Sequence, residues 1–403
     1  MKIKDLGIVI TGKTPSTKDN KNWENGNIPF VTPSDLQNTK HIFDTERHIT
    51  SFGMDKVKSN ILPPNSICVS CIGNLGYVSM TTKTCISNQQ INSIIPFPSI
   101  NPDYVYYLLK YYWPVFKSFE GQSTALSILN KTQFSDLEIP NHSLQKQEQI
   151  ASFLSVIDAK IETNNIINGN LDRQAKALFL SMFIDSDERH EWERRPLATL
   201  IDSTLGGDWG KESPTGANTE KVYCIRGADI PEVRLGNKGK MPTRFILPKN
   251  YSTKRLLPGD IVVEISGGSP TQSTGRVAAV SQSLLDRYDS GMICTNFCRA
   301  IKPRSPYSMF VYYYWQYLYE RGVFFLYENG TTGIKNLDLE GFLSSEEVLI
   351  PPESIVKRFD SFCHICFNTI FANGQENERL SMLRDTLMPK LMSGELDISD
   401  IDL

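Results

Sequence analysis

Between residues 145 and about 182, apolar and small side chains recur in a 4-3 rhythm: Ile150, Leu154, Ile157, Ile161, Asn164, Asn168, Leu171, Ala175, Leu178 and Met182. A stripe with a mean spacing of about 3.5 residues lies on one helix face and lets that helix wrap against another. At 1.5 Å per residue such a helix is roughly 50 to 60 Å long, more than one small domain can cover. A partner is present in the same chain. Adding 205 to each seam position gives Ile355, Phe359, Phe362, Cys366, Thr369, Asn373, Glu376, Leu380, Leu383 and Leu387. Asn168 falls on Asn373, and an Asn in an apolar seam weakens packing but fixes register. The expected helix-pair seam therefore consists of Ile150, Leu154, Ile157, Ile161, Leu171 and Leu178 with Ile355, Phe359, Phe362, Leu380, Leu383 and Leu387. Antiparallel pairing would set whatever precedes each helix at opposite ends of a stiff spacer.

What precedes each helix is also repeated. Ile28-Pro29-Phe30-Val31 with Ser34-Asp35-Leu36 is echoed by Val222-Tyr223-Cys224-Ile225 with Ala228-Asp229-Ile230. Leu62-Pro63-Pro64-Asn65-Ser66-Ile67 returns as Leu257-Pro258-Gly259-Asp260-Ile261, and Gly73-Asn74-Leu75-Gly76-Tyr77-Val78 has its counterpart around Gly275-Arg276-Val277. An aromatic helix expected from Pro102 to about Phe116 reappears around Phe310 to Tyr319, and Gly121-Gln122-Ser123-Thr124 matches Gly330-Thr331-Thr332-Gly333. The offset drifts from 194 (Ile28 to Val222) to 211 (Ile139 to Ile350), as loop insertions would produce. Short β-rich runs bounded by Gly, Pro, Asn and Ser give each copy an α/β character. Two copies read as a duplicated unit with pseudo-twofold symmetry.

Composition narrows the class. At 403 residues, 40% apolar and a net charge of -3, the chain is expected to be a soluble protein with two cores. No run of 18 apolar residues marks a membrane span, and no secretory apolar core follows Lys2 and Lys4. Eight cysteines without such a leader point to a reducing cytoplasm. One stretch is locally basic: Lys221, Arg226, Arg234, Lys238, Lys240, Arg244, Lys249, Lys254 and Arg255 stand against Asp229 and Glu232. Phosphate binding depends on local charge, so a mildly acidic protein can still bind nucleic acid.

Several segments together resemble the specificity (S) subunits of type I restriction-modification systems. They are Gly12-Lys13-Thr14-Pro15-Ser16, Phe30-Val31-Thr32-Pro33-Ser34-Asp35-Leu36, Asn88-Gln89-Gln90-Ile91, Gln147-Glu148-Gln149-Ile150 and the closing run through Leu387-Met388-Pro389-Lys390-Leu391-Met392-Ser393-Gly394-Glu395-Leu396. The resemblance covers the whole chain. It implies an α/β protein of two globular target-recognition domains joined by two long antiparallel coiled-coil helices. The expected order is target-recognition domain 1–143, central helix 144–185, target-recognition domain 186–351, C-terminal helix 352–396 and acidic tail 397–403. It further implies a non-catalytic, cytoplasmic subunit that reads a bipartite, asymmetric site in double-stranded DNA. Two methyltransferase subunits and the restriction motor-nuclease subunits would be its partners. S-adenosylmethionine would bind the methyltransferase partner, leaving this chain without cofactor or metal.

Reading DNA needs cations and hydroxyls for phosphates, and Asn, Gln or Arg for base edges. Loops of the first copy offer Lys13, Thr14, Ser16, Lys18, Asn74, Asn88, Gln89 and Gln90. Those of the second offer Lys211, Arg226, Arg244, Arg255, Gln272, Arg276 and Lys335. Gln89-Gln90 has a plainer role open to it, tying two loops together. Other motifs fail on their chemistry. Asn101-Pro102-Asp103-Tyr104 approximates an adenine methyltransferase loop, but its third residue is wrong and the stretch reads as a helix start. Gly206-Gly207-Asp208-Trp209-Gly210-Lys211 is too short for a phosphate loop, and Glu212 stands where a magnesium-binding hydroxyl belongs. Cys68/Cys71 and Cys363/Cys366 are spaced like half-sites for zinc, which needs four converging ligands.

Overall fold

The computed structural model describes residues 1–36, 40–120, 127–269, 271–330 and 334–397. The repeated Gly121 to Thr124 motif, Thr331-Thr332-Gly333 and the tail from 398 lie outside the described residues. The chain divides into two compact units, Met1–Ala159 with Leu380–Leu403, and Lys160–Arg379.

The described residues of the first unit form nine strands: β1 Gly7–Thr11, β2 Ile28–Val31, β3 His41–Ile42, β4 Arg47–Ile49, β5 Ile61–Leu62, β6 Ile67–Ser70, β7 Val78–Thr81, β8 Cys85–Ser87 and β9 Ile91–Pro96. They form a sheet ordered β1-β9-β6-β7-β3 and a second ordered β4-β2-β8-β5. Helix α1, Pro102–Tyr111, starts because Pro102 suits the first turn and Asn101 Oδ1 accepts from Tyr104 N at 2.9 Å. The run Tyr104 to Leu109 is buried, with Leu75, Ile94 and Phe116. That core also takes in Ile150, Ala151 and Leu154 from helix α2, Leu144–Phe179, and Met388, Leu391 and Met392 from the C-terminal helix. Asp158 and Arg384 add an ion pair of 2.7 Å in the same unit.

The second unit repeats this plan. Strands β10 Glu193–Pro196, β11 Ile201–Gly206, β12 Glu220–Ile225, β13 Thr243–Ile246, β14 Ile261–Glu264, β15 Ser266–Gly267, β16 Val277–Ala279, β17 Met292–Cys294, β18 Cys298–Pro303, β19 Glu328–Asn329, β20 Lys335–Leu337 and β21 Glu347–Ile350 follow in order. The sheet β11-β18-β14-β16 reproduces β1-β9-β6-β7, and β13-β12-β17 reproduces β4-β2-β8. The match extends to strand sense: β2 pairs with β8 in parallel, and so does β12 with β17. Helix α3, Ser308–Glu320, takes the place of α1, with Trp315, Tyr312 and Tyr313 buried.

The long helices are α2 and α4, Glu353–Ser393. Beyond Phe179 the chain continues as a π-turn, Leu180–Ile184. On α2, Ile150, Leu154, Ile157, Asn164, Asn168 and Ala175 are buried, while Ile161, Leu171 and Leu178 are half-buried. On α4 the buried stripe runs Val356, Phe359, Cys363, Ile370 and Asn377, mostly one residue beyond the expected seam. Ile355, Phe362, Leu380 and Leu387 are half-buried, and Leu383 is 47% exposed, which removes it from the seam. The physical reason is that α4 has more than a helix to cover. Phe359, Cys363, Phe367 and Phe371 also enter the aromatic core of the second unit, which rotates the buried face.

Within the second unit the α4 partner number falls as the α2 number rises. Asn164 Nδ2 donates to Asn377 Oδ1 at 2.9 Å, Asn373 Nδ2 to Asn168 Oδ1 at 2.8 Å, and Phe179 lies 5.9 Å from Phe359. Asn168 also donates to the carbonyls of Ile370 and Leu235, each at 3.1 Å. The Leu235 loop reaches α4 because two glycines meet: a Cβ on Gly374 would lie 1.9 Å from the Gly236 oxygen. Asn168 is 2% exposed, and Asn168→Ala removes the acceptor of the Asn373 amide and the donor to the Ile370 and Leu235 carbonyls. The expected loss is about 1 to 3 kcal/mol, read as a lower urea midpoint at unchanged slope. All eight cysteines are free and buried, and burial pushes the Cys68, Cys71, Cys224 and Cys298 thiols up to about 12. A disulfide reagent at pH 8 should react slowly with the native chain and quickly with all the thiols in denaturant. Rapid modification of any thiol in the native chain would contradict this.

Candidate nucleic-acid interface

Two parallel strands end at the same edge, so the loops that follow them gather there. In the first unit, β2 leads into Thr32-Pro33-Ser34 and β8 into Asn88-Gln89-Gln90. The junction is closed by Gly12. Asn88 N bonds to Val31 O at 3.0 Å and Lys13 N to Ser87 O at 2.9 Å. A Cβ on Gly12 would lie 2.1 Å from the Asn88 oxygen, so the chain passes there only as glycine. The second unit repeats the device: Thr295 N bonds to Ile225 O at 3.0 Å and Asp208 N to Cys294 O at 2.9 Å. A Cβ on Gly207 would come within 1.9 Å of the Thr295 oxygen. Gly12-Lys13 and Gly207-Asp208 are thus one element built twice, which explains the glycine pair better than a phosphate loop does.

In the first unit this edge opens into a cleft of about 480 Å³ that includes Thr32, Ser34, Arg47, Asn74, Asn88 and Gln90. Three of the expected residues, Asn74, Asn88 and Gln90, come together here. Asn88 Nδ2 donates to Gln90 Oε1 at 2.9 Å, and Asn88 Oδ1 accepts from Gln90 N at 3.1 Å. Thr14 Oγ1 donates to Gln89 Oε1 at 2.6 Å, the loop-tying role. Lys13 and Lys18 are exposed, and the Ser16 carbonyl accepts from Asn22 Nδ2 and Trp23 Nε1. Arg47, Thr32 and Ser34 were not singled out from the sequence. Thr32 and Ser34 lie in the Phe30 to Leu36 segment that carries part of the family resemblance; a lone Arg in a short strand carries no such signal.

The second unit treats its cations differently. Arg226 donates through Nε and Nη2 to Asp229 at 2.9 and 3.1 Å, and Arg276 to Glu264 at 2.7 Å twice. Both carboxylates are almost wholly buried, and these hydrogen bonds raise the pKa of each arginine further. Lys335 pairs with Glu328 at 2.8 Å. Arg244 lies 4.1 Å above the Trp209 ring, 3.5 Å from Glu212, with 12% of its side chain exposed. Lys211 bonds through its backbone to Phe245, and its side chain is exposed, as are Arg255 and Gln272. Arg226, Arg276 and Lys335 thus spend their charge on internal carboxylates. The wider basic run is partly neutralised as well, Lys221 by Asp289, Arg234 by Asp172 and Lys254 by Asp208. Gly227 backs onto the Glu264 carboxylate, so the turn after β12 packs against the Glu264–Arg276 pair.

Among the described residues no group of three or more His, Cys, Asp or Glu is arranged to hold a metal ion. Asn101, from the methyltransferase-like tetrapeptide, uses its side chain to cap α1. No described helix is long and apolar enough to cross a membrane.

Comparisons with known proteins agree with one another. The family model described as "Type I restriction modification DNA specificity domain" matches residues 1–172. The MjaIX specificity subunit of Methanocaldococcus jannaschii is 28% identical over 99% of this chain and 94% of that protein. The HindI specificity subunit of Haemophilus influenzae is 39% identical, over 34% of this chain and 30% of its own length. In structure, the type I S subunit of M. genitalium superposes with a TM-score of 0.57 at 15% identity, covering 99% of this chain and 96% of that one. Over its leading 172 residues the chain matches the family model, and along nearly its entire length it is similar to a specificity subunit of a type I restriction-modification system and shares that fold.

Proposed function

We propose that this chain is the sequence-reading subunit of its complex and carries no catalytic group itself. It binds double-stranded DNA at a bipartite, asymmetric site, one half read by the domain at 1–143 and the other by the domain at 186–351. The observation that carries this reading is the duplicated junction: the same parallel-strand edge, closed by Gly12 or Gly207, bears unlike side chains in the two units. Two readers of one build and different surface chemistry are what an asymmetric split site requires.

The long helices α2 and α4 pair antiparallel as a coiled coil and set the gap between the half-sites. The asparagine contacts and the Phe179–Phe359 contact support this arrangement. Apolar side chains on their solvent side, Val156 and Met382 in the first unit and Ile166 and Ile365 in the second, support docking of two methyltransferase subunits there. The restriction motor-nuclease subunits join that core, and S-adenosylmethionine binds in the methyltransferase partner.

Two measurements test the reading. Binding of the full-length chain to duplex DNA should weaken steeply with salt, the logarithmic slope being about -0.9 per neutralised phosphate. A protein-binding scaffold would give no such slope. Replacing residues 186–351 with the corresponding domain of a relative should change one half of the methylated motif in a host that also carries the methyltransferase. A change in both halves would sink the independent-reader account.

A further inference from the structure

Arg47 differs from the arginines of the second unit's junction in how it is held. It sits on β4 opposite Phe30 of β2, and its guanidinium lies 4.3 Å above the Trp23 ring and 5.2 Å from that of Phe30. Trp23 is fixed in turn, edge-on to Phe30 at 5.0 Å and donating through Nε1 to the Ser16 carbonyl at 3.0 Å. Stacking holds the plane of the guanidinium without using its N–H groups. Among the described residues Arg47 makes no ion pair, and the cleft it lines contains no Asp or Glu.

Beside Arg47, the cleft offers a second set of N–H donors. Gln90 Oε1 is occupied by Asn88 Nδ2, which leaves the Gln90 amide N–H groups. Asn88 Oδ1 is occupied by the Gln90 backbone. A planar five-donor fork beside an amide donor matches an edge that presents two acceptors side by side. In the major groove, guanine N7 and O6 present that edge; adenine pairs an acceptor with a donor, and cytosine offers a donor.

We infer that the first unit's cleft reads a guanine, with Arg47 as the specificity-determining residue. This rests on the DNA-reading function proposed above. Arg226 and Arg276 do not serve the second half-site in the same way, because Asp229 and Glu264 already hold their forks.

The test is selection of the full-length chain against a randomised duplex pool at fixed salt, with wild type, Arg47→Lys and Arg47→Ala. Wild type should enrich a site with a guanine at one position of one half. Arg47→Lys keeps the charge and loses the fork, so preference for that guanine should fall about 5- to 150-fold. The other half-site should be enriched as before, which shows in the same experiment that the variant is folded. If Arg47→Lys keeps the guanine preference, or if Arg47→Ala weakens all sequences equally, Arg47 contacts phosphate and the inference is overturned. If Arg47→Ala lowers the thermal midpoint while leaving the enriched motif intact, its role is to pack Trp23 and the inference is likewise overturned. A wild-type chain that enriches no sequence removes the DNA-reading function itself, a result distinct from either of these.

Discussion

An apolar helix seam resists separation but resists sliding poorly, because a slip of one heptad, about 10 Å, buries a similar set of side chains. Asn168 removes that freedom. Its amide donates to Leu235 and Ile370 and accepts from Asn373, so all three partners must be in place together. Since two of them belong to α4 and one to a loop of the β-rich body, one side chain ties helix register to the seating of that body. Gly236 and Gly374 permit this by letting two backbones touch. A buried, satisfied amide gives that junction a stiffness that packing alone does not, as the proposed reading of DNA by bodies carried on the helices requires.

The duplicated junction shows how one backbone plan serves two chemistries. Main-chain hydrogen bonds and a glycine at the close approach build the strand edge, so the side chains after β2 and β8, or after β12 and β17, are free to differ. The first unit fills that edge with amides, hydroxyls and a stacked arginine. The second places buried carboxylates under its arginines, which orients them and neutralises them together. The two halves of the chain thus share architecture and diverge in electrostatics, although the net charge of -3 reveals neither.

Much of this was legible from residue order. The long helices follow from the spacing of Ile150, Leu154, Ile157 and their successors, the start of α1 from Asn101-Pro102, and the repeated sheets from the echo of Ile28 to Leu36 at Val222 to Ile230. Asn88 and Gln90 were identified because amides at a strand end suit base edges, and they do line the cleft. The α4 seam was placed one residue early because periodicity describes a helix meeting one partner, and α4 also enters the aromatic core of the second unit. Residue order did not single out Arg47, and it gave no sign that Arg226, Arg276 and Lys335 pair with carboxylates, for one cause. A cation's role depends on what lies within about 4 Å of it.

Sequence by itself determined the duplication, the two long helices and the register-fixing asparagines, because these are carried by periodicity and by repeated order along the chain. Tertiary structure alone decided which cations remain available. Glu264 reaches Arg276 across two paired strands, Glu328 reaches Lys335 across another pair, and Trp23 comes under Arg47 from a separate loop. Charge pairing and stacking fall away over a few ångströms, and residue order does not specify distances that short.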